Sequence, residues 1–131
     1  MRVRSVLRRL AVARRVEELI VWQLGDELRA KIYAITATDR VAKDFKFCNQ
    51  LRDAAASVTR NIAEGFGRYK HGEFAQFLRI ARGSLFEIED CLRDGVARGH
   101  WEARVTKDLH SLCNRTIAAI TRFIRYLKTN A

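Results

Sequence analysis

Along most of this chain apolar residues recur every three or four positions, the spacing that gathers them on one face of an α-helix. Val21, Leu24, Leu28, Ile32 and Ile35, widened by Trp22 and Tyr33, predict a first helix from about Glu18 to about Thr38. Thr36, Thr38 and Asp39 have side chains that compete for local backbone hydrogen bonds, so they predict a loop to about Lys43. Phe47, Leu51, Ala54, Val58 and Ile62 are spaced by threes and fours, the seam of a helical bundle, and place a second helix from about Asp44 or Phe45 to Gly65. Ala54, Ala55 and Ala56 let a neighbouring helix come close, and Gly65 or Gly67 is expected to supply a left-handed C-terminal stop.

The strongest stripe, Phe74, Phe77, Leu78, Ala81, Leu85, Ile88, Leu92 and Val96, predicts a third helix beginning near Gly72. Gly83 lies in its middle at a cost of about 1 kcal/mol relative to alanine, for which a close helix crossing is the expected compensation. Gly95 and Gly99 are read as weakening and ending that helix. A fourth helix, from about Trp101 or Glu102 to Lys128, carries Val105, Leu109, Leu112, Ile117, Ile120, Ile124 and Leu127, with Phe123 and Tyr126 broadening its face. Arg122, Arg125 and Lys128 complement the negative end of its dipole. Short connections favour antiparallel neighbours, so the expected fold is all-α, an antiparallel up-down-up-down four-helix bundle.

Length and composition support one domain: 131 residues, 48% of them apolar, without a proline to break long helices. The domain is expected over residues 17–131, preceded by a basic N-terminal arm or extra helical segment over 1–16. No apolar run approaches the length of a membrane span, which leads to the expectation of a soluble protein.

Charge changes the picture more than composition does. The net charge is +10, and residues 1–16 contribute Arg2, Arg4, Arg8, Arg9, Arg14 and Arg15 without an acid. Val3, Val6, Leu10 and Ala13 recur among them at heptad-like spacing. The segment reads as a solvated arm, a nucleic-acid-binding arm or a membrane-surface helix. Its arginines interrupt any secretory apolar core, so the expected compartment is the cytoplasm. Cys48, Cys91 and Cys113 sit on apolar helical positions as small core residues, and with His71, His100 and His110 they form no metal-binding spacing. Neither a metal nor a cofactor is expected.

Two constellations are candidates for function. Ser57, Asn61 and Glu64 lie close to the packing face of the second helix and need partners there. They read as a lock onto the third helix, through Ser84, Arg79 or Arg82, in preference to a ligand site, with Gly65 and Gly83 as the glycines of the same motif. Catalysis is not expected, because neither Ser57 nor Ser84 has a histidine at useful local spacing. The second constellation is basic. Arg52, Arg60 and Arg68 wind slowly around the second helix, drifting about 80° per step of eight residues. Lys70, Arg79 and Arg82 continue the stripe. It suits phosphate contacts, or else is ordinary solvated charge paired with Asp53, Glu73 or Glu87. Lacking a base-stacking module, it should bind nucleic-acid backbone with strong salt dependence and weak sequence preference.

From about Val21 to Leu127 the chain resembles the proteins encoded in bacterial 23S ribosomal RNA intervening sequences, a group that includes the accessory variability determinant of diversity-generating retroelements. The resemblance is carried by Val21-Trp22-Gln23, Gln50 to Ala55, Ser57-Val58, Asn61 to Gly65, Gly67-Arg68, Phe74, Phe77-Leu78, Ile80-Ala81, Gly83-Ser84-Leu85 and Glu87. Thr59 departs from it, standing where the family commonly has a proline. The resemblance implies a cytosolic homopentamer of four-helix protomers around a central channel, without an established biochemical activity. For the retroelement relative it implies nucleic-acid binding and work with a reverse transcriptase, a partner carried over only where a retroelement lies beside the gene. Three classes follow for this chain: a nucleic-acid binder (RNA or DNA), an oligomeric adaptor for another protein, or the product of an inserted reading frame with no host function.

Overall fold

The computed structural model describes residues 13–38, 40–68 and 70–130, and these form four α-helices and no strand. They are α1 (Ile20–Thr36), α2 (Phe45–Phe66), α3 (His71–Ala97) and α4 (Lys107–Thr129), with single 3-10 turns at Val16–Glu18, Val41–Lys43 and Ala103–Thr106. Most of the arginine-rich segment, residues 1–12, lies outside the described residues. Ala13 and Val16 pack against the core, and Arg15 pairs with Glu17 at 3.4 Å. Among the described residues no helix is long and apolar enough to cross a membrane.

The stripes read from the sequence meet in one core. Leu28 and Ile32 of α1, Leu51 and Ile62 of α2, Leu78 and Leu85 of α3, and Leu112 and Ile120 of α4 have 0–1% of their surface exposed. Burying each such side chain contributes about 1.5–3 kcal/mol to the stability of the packed helices. Buried threonines do not spoil the core, because Thr36 and Thr116 donate to the carbonyls of Ile32 and Leu112, both at 2.7 Å. Each helix packs on the next in sequence, and α1 also packs on α4. Ser57 of α2 meets Ser84 of α3, while Asp44 before α2 reaches Arg98 and His100 after α3. Between α3 and α4 the pairs are His71 with the Asn130 carbonyl, Arg82 with Thr121 and Glu89 with His110, in reverse order along the two helices.

Several sequence expectations shift. α4 starts at Lys107 instead of Trp101, and the 3-10 turn before it leaves Val105 47% exposed. Val96 is likewise exposed, and Gly95 takes the inward position, where the indole of Trp101 covers it. Neither Gly65 nor Gly67 is a left-handed stop: Gly65 is inside α2, and Gly67 ends it with φ −71°. The left-handed glycine is Gly99, φ 78°, after α3. There the amides of Gly99 and His100 return to the carbonyls of Val96 and Gly95, closing the helix in a Schellman motif. The close crossing expected at Gly83 lies elsewhere too. A methyl group on Gly83 would meet nothing within 4 Å, whereas one on Gly25 would lie 3.0 Å from Val58 and one on Gly65 2.7 Å from Phe74. α2 runs uninterrupted through Thr59, which packs against Gly25.

Candidate nucleic-acid interface

The polar residues of α2 divide into two groups. The Asn61 amide donates to the Ser57 carbonyl at 2.8 Å and to Ser57 Oγ at 2.9 Å. Ser57 Oγ lies 2.9 Å from Ser84 Oγ, whose hydroxyl also reaches the Ile80 carbonyl at 3.3 Å. This chain of hydrogen bonds joins α2 to α3 beside the core, where unpaired polar atoms would be costly. Glu64 takes no part in it. Its carboxylate is exposed and accepts from Arg68 Nη2 at 2.8 Å, one turn along the same helix. Asn61→Ala should therefore lower stability by about 1 kcal/mol, and Glu64→Ala by no more than about 0.5, read as urea midpoints at constant slope. An equal loss in both variants would contradict this division.

The six basic candidates differ in what holds them. Arg52 lies at the edge of α2 facing α1, its guanidinium 5.2 Å from the Tyr33 ring centroid. Arg68 lies toward α3, held by Glu64 and 5.2 Å from the Phe77 ring. Arg60 is exposed on the outer face between these two edges and has no ion pair among the described residues. Lys70 is exposed at the start of α3. Arg79 bonds to Gln76, and Arg82 is half-buried against Thr121 of α4. Among the described residues none of the six pairs with Asp53, Glu73 or Glu87, the alternative the sequence offered; Arg68 pairs with Glu64 instead.

Sequence reasoning missed a second polar cluster because its members are 54 to 56 residues apart. Asp44 caps α2 by accepting from the Phe47 amide at 3.4 Å, and its Oδ2 receives Arg98 Nη1 at 3.2 Å and His100 Nε2 at 2.8 Å. His100 stacks obliquely on Phe47, 5.0 Å between centroids, and Arg98 also pairs with Asp94. The hydrogen bond from His100, with help from the Phe47 amide and Arg98, holds the Asp44 carboxyl below its ordinary range. A folded-state value below the unfolded one stabilises the fold at neutral pH, and that contribution is lost as acid protonates Asp44. The urea midpoint should fall between neutral pH and the acid side of the carboxylate range, and Asp44→Asn should fall by less over that interval. Equal falls would remove Asp44 from the acid response.

Cys48, Cys91 and Cys113 are buried free thiols, and burial pushes Cys113 up to about 12, far from the thiolate form needed for nucleophilic chemistry. Among the described residues no three His, Cys, Asp or Glu side chains gather as metal ligands would.

No curated protein matches the chain at a significant level. Residues 17–122, which take in all of α1 to α3 and most of α4, match the sequence model of the family described as 23S rRNA-intervening sequence protein. The helical fold, the continuous α2 to α3 motif region and this match together place the chain in the 23S rRNA-intervening sequence protein family.

Proposed function

We propose that the protein is a non-enzymatic, homo-oligomeric, antiparallel up-down-up-down four-helix bundle of the cytoplasm that binds the backbone of RNA or DNA through basic surface. The observation that carries this reading is charge without partners: a net +10 together with exposed cations that have no carboxylate beside them among the described residues. Such surface attracts phosphates and releases their counterions. Titration of duplex RNA and duplex DNA at low salt should show binding that weakens steeply as salt rises, and no binding to either would overturn the reading.

Self-association, and a pentamer in particular, is the state the family resemblance implies. What supports it in the chain is the outer side of α3, where Ile80 and Phe86 are 46% and 57% exposed on either side of the uncrowded Gly83. Gly83→Ala gains helix propensity in a single copy but crowds a second helix packed on that face. Its expected result is a weaker oligomer by light scattering, and a more stable oligomer would count against assembly there.

An adaptor for another protein, such as a reverse transcriptase encoded beside it, is favoured by a different observation. Phe45, Val96 and Val105 are 73%, 36% and 47% exposed at the end of the fold where α2 starts, α3 ends and α4 begins. A partner retained after nuclease treatment would select this reading over nucleic-acid binding.

A further inference from the structure

The sequence stripe runs over α2 and α3, but the charge excess of the described helices is on α4. Lys107, Arg115, Arg122, Arg125 and Lys128 stand there against one acid, Asp108, so five minus one leaves α4 at net +4. Arg79, Arg82 and Arg93 on α3 face Glu73, Glu87, Glu89, Asp90 and Asp94, so three minus five leaves α3 at net −2. A polyanion approaching Arg79 or Arg82 meets an acidic helix, and one approaching α4 does not.

The α4 cations also share a side. Leu109, Leu112, Thr116, Ile120, Phe123 and Leu127 turn into the core, and Arg115, Arg122 and Arg125 occupy the opposite, exposed side with the small Ala118 between them. From Arg115 to Arg125 is about 15 Å along the axis, at about 1.5 Å per residue. None of the five basic side chains makes an ion pair or a side-chain hydrogen bond among the described residues, in contrast to Arg68, Arg98 and Arg104, which are held by Glu64, Asp94 and Glu102. Unpaired guanidinium groups are the side chains best shaped for two-pronged contact with phosphate. The aromatic residues of α4 turn away: Phe123 is buried, and Tyr126 is half-buried beside His71, 6.3 Å between centroids. With no ring offered for base stacking, the face suits the outside of a duplex better than a single strand.

We propose that the outer face of α4, centred on Arg115, Arg122 and Arg125, docks the phosphate backbone of a nucleic-acid duplex. The proposal rests on the nucleic-acid reading above and moves its contact from α2 and α3 to α4. The test is titration of the full chain with a short RNA duplex and the matching DNA duplex over a range of salt. Three proteins are compared: the native chain, the triple variant Arg115→Gln, Arg122→Gln, Arg125→Gln, and the triple variant Arg52→Gln, Arg60→Gln, Arg68→Gln. The α4 variant should keep its helical signal and melting temperature, lose about a hundredfold in affinity at low salt, and have a log affinity against log salt slope smaller by about two to three. The α2 variant should stay within a few-fold of the native chain. Lysine at the three α4 positions should restore most of the slope, which keeps a test of charge available if the glutamine variant folds poorly. Native-like affinity and slope in the α4 glutamine variant would overturn the α4 proposal while leaving nucleic-acid binding intact. Failure of the native chain to bind either duplex would overturn both. Competition by polyglutamate as effective as that of the duplex would replace phosphate with carboxylate as the ligand and also overturn it.

Discussion

Gly95→Ala is expected to lower folding stability by about 1–3 kcal/mol, although alanine inside a helix ordinarily gains about 1 kcal/mol over glycine. The reason is Trp101. A methyl group at position 95 would lie 2.7 Å from the indole Nε1 and nearer still to Cζ2 and Cε2. The ring cannot simply turn aside, because its Nε1 donates to the Leu92 carbonyl at 3.1 Å and its face packs at 5.7 Å from Phe47. Moving it would break that bond and disturb Phe47, which Arg98 covers from outside at 5.4 Å. The loss should appear as a lower urea midpoint with an unchanged slope, accompanied by a change in tryptophan fluorescence. Native stability or a gain would mean that the indole does not rest on α3.

The four helices were legible because periodicity reports directly on which side of a helix is buried, and the apolar stripes from Val21, Phe47, Phe74 and Leu109 onward turn inward, with Val96 at the end of the third the exception. It does not report what lies across from a given residue. Gly83 and Gly95 are both glycines within α3, yet one faces open space and the other a tryptophan, a difference settled by the neighbouring segment. Val105 left its stripe because the 3-10 turn Ala103–Thr106 advances fewer residues per turn than an α-helix and so shifts the phase. In the polar cluster, Ser57 and Asn61 stand one turn apart on a shared edge, and of the three α3 partners offered by the sequence Ser84 is the one hydrogen-bonded there, while Arg79 and Arg82 bond to Gln76 and Thr121. Glu64 was misplaced because Arg68, one turn later, captures it at the surface. The Asp44, Arg98 and His100 cluster had no local signature, since its members meet only when the start of α2 is brought to the end of α3.

Phe123→Ala should cost about 3–5 kcal/mol, a large share of the 5–15 kcal/mol that holds a typical domain folded. Phe123 is 1% exposed and is the largest of the fully buried side chains. Its ring stands edge-on to Phe74, 5.1 Å between centroids at 67°, and Phe74 in turn meets Phe66 at 6.2 Å, so one aromatic row ties α4 through α3 to the end of α2. Removing Phe123 leaves a cavity that Phe74 cannot fill without drawing away from Phe66 and from the close contact with Gly65. Phe86→Ala deletes the same ring from a side chain that is 57% exposed, and in a single copy of the chain it should change stability by about 0.5 kcal/mol or less. Urea denaturation at a protein concentration low enough to separate copies isolates the comparison. A Phe86 loss that grows with protein concentration, while the Phe123 loss stays constant, would place the first ring between copies and the second within one. Equal losses at every concentration would contradict the burial of Phe123 on which the α3 to α4 packing depends.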